Sequence, residues 1–495
     1  MRRLNTIRAI CLTPLLEETL HVDAVNPRTG RVDFQFEPTG LAELTALAQS
    51  ARERQVDWAS SGLNARIQAL RDFARALKTR GEGVTSALTV DTGRRADSAA
   101  EVSGVVDAIE HWCARAPFVL ATPHPEPTGL PFVDAQVTRA PFALVGAIAP
   151  WNFPLLMSFI DTLPALLCGS VVVIKPSEVT PRFVTPLREV IAAVPALDGV
   201  VNLVLGGAEQ GRALCGLVDT VCFTGSVATG REIATAAAER LIPVHLELGG
   251  KDPAIVFEDA DPKRTAAALC WGATANAGQS CLSIERAYVH ASLFDEISDR
   301  VTTAMRAMTL SAPPAVDGDV GPIIHAPQAK KIERQIEEAR RSGARVLCGG
   351  RMVRSGGVWC EPTVIVNVHQ RMRIMQEETF GPVLPMMPFR DEAEAISLAN
   401  DSVFGLSGAV FSADAKRLAR VAQRLDVGAV SANDVCLTAF THVGGKQAYR
   451  ASGLGGTRMG DRAFARFFRE RVVLDNTSLA RQPWWFGHDS EDAGA

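Results

Sequence analysis

The chain has 495 residues, 47% hydrophobic and 21% charged, and its 51 Lys and Arg against 55 Asp and Glu leave a formal net charge of −4. That length suits two or three domains, and the composition excludes a disordered or collagen-like chain. With charge so nearly balanced and no Lys/Arg-rich cluster, nucleic acid is not expected as a partner.

The N-terminus carries Arg2, Arg3 and Arg8, but the apolar stretch behind them is brief and meets Glu17 and Glu18. A secretory signal is therefore not expected, a transit peptide over residues 1–16 stays open, and the cytoplasm is the preferred location. The ten cysteines are scattered, with no C-x-x-C pair and no histidine at zinc-ligand spacing, which points to a reducing compartment and to no metal. Residues 42–80 alternate apolar and charged positions at helical spacing and predict two amphipathic helices covering a sheet. The longest apolar run, Leu163 to Ile174, contains Pro164 and Gly169 and falls short of the ~20 residues of a membrane helix, so no membrane partner is expected.

From Pro141 onward, short runs rich in Val and Ile alternate with helical stretches: FALVGAIAP, VVVIKP at 171–176, VVNLVLGG at 200–207 and DTVCFTGS at 219–226. Such runs suit parallel strands buried on both faces. A second α/β series follows, with strand-like segments at 254–257, 286–290, 345–348 and 408–411 and helices at 260–277 and 327–342. Two doubly wound units in tandem, joined near Gly249-Gly250, are the simplest fold. Residues 121–140 and 470–475 fit neither series and read as edge strands suited to association.

Several segments carry chemistry. Phe223 to Gly230 follows a strand and opens a helix, so its amides either hold a pyrophosphate or make an ordinary turn. Cys281, at the end of Asn276-Ala277-Gly278-Gln279-Ser280-Cys281, is either a nucleophile or a small buried hydrophobe. Glu247 closes the run PVHLEL and is either a desolvated general base or a satisfied structural carboxylate. Asn152, between Pro150 and Pro154, can donate to a developing oxyanion or simply form the turn. Lys175 and Glu178 close the next strand, where doubly wound sheets bind ligands, or are a solvated charge pair.

Together with Glu377 to Pro385 (EETFGPVLP), these segments resemble, in order, the motifs of the aldehyde dehydrogenase superfamily, and the resemblance runs from about Asn26 to about Asp475. It implies two Rossmann-like domains and a small β oligomerisation arm: a cofactor-binding domain over 1–120 and 141–248, a catalytic domain over 249–450, the arm over 121–140 and 470–482, and a tail over 483–495. It implies Cys281 as nucleophile, Glu247 as the base for deacylation, and Asn152 with the Cys281 backbone amide as the oxyanion site. It also implies NAD, with NADP possible, held by Trp151, Lys175, Glu178, Gly225, Ser226, Gly230, Leu248, Glu378 and Phe380. The substrate tunnel would be walled by Phe153, Leu156, Met157, Ile160, Leu437 and Phe440, all apolar, and the product would be a carboxylic acid. Relatives imply a homodimer or homotetramer. A coenzyme-A-acylating enzyme is the rival that Glu247 argues against, and a catalytically silent binding protein is the rival that the intact Cys281, Glu247 and Asn152 argue against.

The chain departs from the family at the substrate mouth. Where relatives show Pro-Phe-Gly-Gly before Ser-Gly-x-Gly, it reads His442-Val443-Gly444-Gly445, with Lys446 to Ala451 ahead of Ser452-Gly453-Leu454-Gly455. Lys446 or Arg450 could reach inward from that segment. Past the expected last strand, Pro483-Trp484-Trp485-Phe486 forms an aromatic cluster suited to packing on a surface.

Overall fold

The computed structural model describes residues 21–122, 125–478, 482, 484 and 485. The helices expected over residues 42–80 are Leu41–Ser60 and Leu63–Arg80, and each turns one apolar stripe inward. Leu44, Trp58, Leu70, Phe73 and Leu77 lie on those stripes and join the core beneath the first sheet.

That sheet has six strands. From one edge to the other they are Gly453–Leu454, Val244–Glu247, Thr220–Thr224, Leu144–Ile148, Val171–Lys175 and Val201–Leu203. All neighbours are parallel except the first pair, and three of the inner strands are buried at every residue, as a sheet covered on both faces requires. Strand order reverses between Leu144–Ile148 and Thr220–Thr224, so a crevice opens at their C-terminal ends. The loop bearing Asn152 and the turn bearing Ser226 both leave the sheet there.

The second sheet has seven strands in the order Arg345–Cys348, Thr363–Val366, Val383–Phe389, Ile284–His290, Asp252–Val256, Ser407–Phe411 and Ala429–Ala432. Its pairs are parallel except at the Arg345–Cys348 edge. Three of these strands, Thr363–Val366, Val383–Phe389 and Ala429–Ala432, escape the sequence pattern. Two are only four residues long, and the third contains Pro385 and Pro388, which argue against a strand until its neighbours are known. The helix expected over 260–277 stops at Thr274, because Asn276, Ala277 and Gly278 all take left-handed φ values of 53°, 53° and 68°. A Cβ on Gly278 would meet the Gly381 backbone at 2.2 Å, so this turn depends on the glycine.

A separate antiparallel sheet pairs Phe468–Asn476 with Val133–Pro141, which pairs in turn with Glu126–Pro127. Val472, Val473 and Leu474 on it are exposed. Beside it, Trp484 stacks on Phe132 with ring centroids 6.1 Å apart. The tail residues Pro483 and Phe486, and the N-terminal segment 1–16, lie outside the described residues. The chain also returns to the first sheet after completing the second. Gly453–Leu454 pairs with Val244–Glu247, Gly453 opposite Glu247, and Ala463, Phe464 and Phe467 enter the first core.

Candidate active site

Cys281 follows the left-handed turn, half-buried, between the helix Pro262–Thr274 and the strand Ile284–His290. The turn is stapled by the buried Gln279, whose Nε2 donates to the Asn276 and Pro322 carbonyls at 3.1 Å each and whose Oε1 accepts from the Ile324 amide at 2.8 Å. Asn152 ties the opposite wall to it, with Nδ2 donating to the Gln279 carbonyl at 2.9 Å. A primary amide has two hydrogens, so this bond leaves one for another acceptor.

Arg94 and Glu101 support that wall. Arg94 donates to the Asn152 carbonyl, and Glu101 accepts from the amides that start the helix Pro154–Phe159. Burial pushes the Glu101 carboxyl up to about 7 against the pull of Arg94. Buried charges this far along the chain leave no periodic mark, so sequence reasoning missed both.

Glu247 is buried at the end of its strand, with Lys446 Nζ 3.6 Å from one oxygen and Arg458 Nε 3.9 Å from the other. The sequence reading weighed burial at this carboxylate and not these cations. Arg458 and Arg466 both bond Asp161 at 2.8 Å. Burial pushes the Cys281 thiol up to about 11; the charges of Lys446 and Arg458 oppose the rise, and those of Glu247 and Asp252 add to it. Lys446 therefore does reach inward, whereas Arg450 turns away to the Asn400 and Ser402 carbonyls and Asp426. His442, in the same departing segment, packs on His111 at 4.8 Å and Trp112 at 5.7 Å.

On the helix after Asn152, Leu155 and Phe159 pack into the core, whereas Phe153, Leu156, Met157 and Ile160 stay half-buried on one face. Leu437 and Phe440 are exposed, and Phe440 lies tilted against the exposed Trp271, with ring centroids 5.7 Å apart.

The remaining residues line the crevice of the first sheet and its border with the second. Lys175 Nζ donates to the Gly206 carbonyl at 2.7 Å, the Pro176 carbonyl at 3.1 Å and Glu178 at 3.3 Å. Glu178 is otherwise open to solvent. Ser226 caps the helix Val227–Glu239, accepting from the Thr229 amide at 3.2 Å, and leaves that N-terminus exposed. Gly225 precedes that cap, and Gly230 lies so close to Leu248 that a Cβ would meet it at 2.5 Å. Glu378 accepts from the Gly250 amide at 3.1 Å, and burial, with the like charge of Glu285, pushes its carboxyl up to about 7. A buried Lys251–Glu285 pair at 2.7 Å fixes the turn at Glu378 to Phe380, where Phe380 meets Trp151 edge-on at 5.4 Å. His325, which the sequence reading passed over, lies 5.8 Å from Trp151 with Glu178 acting on its charge. Open acceptors, an exposed helix N-terminus and close-packed glycines suit a dinucleotide. Among the described residues, no group of three or more His, Cys, Asp or Glu could hold a metal ion, and no helix is long and apolar enough to cross a membrane.

The aldehyde dehydrogenase family profile matches residues 16–473. The chain belongs to the aldehyde dehydrogenase family. Among curated relatives, the 4,4'-diapolycopene aldehyde oxidase of a Methylomonas species is 34% identical over 475 residues, covering 95% of this chain and 88% of that one. Among solved structures, the protein PutA of Anabaena variabilis superposes with a TM-score of 0.92 at 46% identity, covering 94% of this chain and all of that one. The betaine aldehyde dehydrogenase of Staphylococcus aureus, solved in complex with NAD+, superposes at 0.88 with 31% identity and 94% coverage of both chains.

Proposed function

We propose that this aldehyde dehydrogenase is NAD-dependent and non-acylating, oxidising an apolar aldehyde to its carboxylic acid in the cytoplasm as a homo-oligomer. The observation that carries the reading is the convergence of Cys281, the spare amide hydrogen of Asn152 and the buried Glu247 from three separate segments. Cys281 gives up its proton to solvent water and adds as a thiolate to the aldehyde carbon, and the thiohemiacetal oxyanion takes hydrogen bonds from Asn152 Nδ2 and the Cys281 amide. The dinucleotide, when bound, supplies the acceptor for the hydride. A thioester is then left on Cys281. Glu247 takes a proton from water as that water attacks, and collapse of the adduct frees the acid and the thiol.

Glu178, held in place by Lys175, would hold the adenosine ribose. Ser226 with Gly225, Gly230, Leu248 and Trp151 would border the pyrophosphate, and Glu378 with Phe380 would hold the nicotinamide ribose. The half-buried face of Phe153, Leu156, Met157 and Ile160 supports an apolar tunnel, and Leu437 and Phe440 support an apolar mouth. The exposed Val472, Val473 and Leu474 support association through the arm.

The experiment follows reduced nicotinamide by absorbance over a panel of aldehydes, with and without coenzyme A. Turnover without coenzyme A is expected. Cys281→Ala abolishes it while nucleotide binding persists, and Cys222→Ala and Cys270→Ala retain it. Oxidation at the wild-type rate by Cys281→Ala would end the covalent reading.

A further inference from the structure

A base that deprotonates water needs a free lone pair, a retained negative charge and a fixed direction. Glu247 meets the first condition unusually. Among the described residues its carboxylate accepts no hydrogen bond and is held by the two cations alone, at 3.6 and 3.9 Å. Arg458 is immobilised by Asp161 at 2.8 Å and Thr224 at 2.7 Å, and its Nε, the atom that faces Glu247, has no hydrogen-bond partner among the described residues. Lys446 is different. Its side chain is about nine-tenths buried, and among the described residues its ammonium pairs with Glu247 and nothing else. A buried lysine is costly unless it is paired, so the segment that departs from the family pattern delivers one cation to one carboxylate.

The other groups around this pair are accounted for. The Cys281 thiol faces Glu247, Lys446 and Arg458. Asp252 faces Lys446 and is held by the Ser407 hydroxyl and amide. Arg466 is bound to Asp161, and His245, on the strand of Glu247, is pushed down to about 3 by burial and Arg466 and so is neutral. Lys446 is thus the one cation near Glu247 not committed to another acid among the described residues.

We propose that Lys446 is a positioning residue for deacylation: its ammonium keeps the Glu247 carboxylate turned toward the thioester, with Arg458 as the fixed counterpart on the other oxygen. This rests on the Cys281 and Glu247 roles above. Removing the ammonium frees the carboxylate to turn, and a misdirected base slows the attack of water without touching the hydride step.

The test measures the first turnover and the steady rate of the full-length protein, with NAD and one good aldehyde. Lys446→Met is expected to show a burst of about one reduced nicotinamide per site at nearly the wild-type burst rate, followed by a steady rate about tenfold lower. Lys446→Arg restores the steady rate. Lys446→Gln, close in length to lysine and neutral, repeats the Met result if Met disturbs folding, which melting temperatures report. A wild-type steady rate in both neutral variants, or loss of the burst together with the steady rate, overturns the proposal. Glu247→Gln separates the two levels: a burst followed by a stall supports the base, and wild-type turnover sinks the base and the proposal with it. A stall in Glu247→Gln with a wild-type steady rate in Lys446→Met refutes Lys446 alone.

Discussion

Arg94 donates from Nη2 to the backbone carbonyl of Asn152 at 2.8 Å, and the same guanidinium pairs with Glu101 at 3.5 Å. Glu101 accepts from the Leu155 and Leu156 amides at 3.0 and 3.2 Å. One buried ion pair therefore holds both the proposed oxyanion donor and the start of the helix that carries the proposed tunnel face.

Arg94→Met leaves Glu101 buried without its cation, which costs about 3 kcal/mol of stability. Displacement of Asn152 should lower kcat by roughly tenfold to a hundredfold while leaving the dissociation constant of NADH nearly unchanged. Denaturant unfolding, steady-state kinetics and NADH fluorescence read the three quantities. An unchanged kcat would mean that Asn276, whose Nδ2 donates to the same Asn152 carbonyl at 3.2 Å, and the bond to Gln279 suffice to place Asn152.

Cofactor choice follows from Lys175. Its three donors are all taken, by Gly206, Pro176 and Glu178, so none is spare for a 2′-phosphate, which would also meet the like charge of Glu178. NAD is expected to give the higher kcat/KM, and Glu178→Gln to narrow the gap by removing the repulsion. A wild-type ratio favouring NADP contradicts this.

Substrate polarity follows from where the cations go. Lys446 faces Glu247 and Arg450 is bound at Asp426, so neither is free to meet a distal carboxylate. Medium-length aliphatic or aromatic aldehydes should exceed succinic semialdehyde and betaine aldehyde in kcat/KM at saturating NAD. Phe440→Ser should raise KM for the longest apolar aldehydes most, because Phe440, packed on Trp271 at the surface, belongs to the proposed apolar mouth. Succinic semialdehyde as best substrate would sink the apolar tunnel.

His245 carries a pH dependence of stability. Its Nδ1 accepts from the Gly456 amide at 3.1 Å, and burial with the Arg466 charge pushes the imidazole down to about 3. The unfolded chain takes up that proton near pH 6.5, so the folded state is favoured fully above that pH and loses the advantage as pH falls toward 3. Near pH 5 the loss is about 2 kcal/mol. His245→Gln, which does not titrate, should lose less stability than wild type between about pH 8 and about pH 5, as measured by denaturant unfolding. Equal losses would show that His245 is reached by water.

The alternation of Val- and Ile-rich runs with helical stretches made the parallel strands of the first sheet and three of those of the second readable, because a strand buried on both faces leaves a continuous apolar run. The strand with Pro385 and Pro388 was hidden, since its evidence is its neighbours on either side. Cys281, Glu247 and Asn152 stood out only through a resemblance, since each alone had an ordinary reading. Arg94, Glu101, Gln279 and Arg458 were not legible. What makes them matter is a partner tens to hundreds of residues away, and charge at such a separation has no period to detect.

The strand Gly453–Leu454 closes the edge of the first sheet beside Glu247, and Ala463, Phe464 and Phe467 complete its core. A ribosome makes those residues late, well after the strand that they pair with. During synthesis the N-terminal unit therefore waits, with the open edge of Val244–Glu247 unpaired, until more than two hundred further residues have emerged. An unpaired edge of that kind invites pairing with other chains, so a fragment ending near Gly250 is expected to aggregate instead of folding as an independent nucleotide-binding domain. Final formation of the base's surroundings is thus one of the last events in the life of the nascent chain.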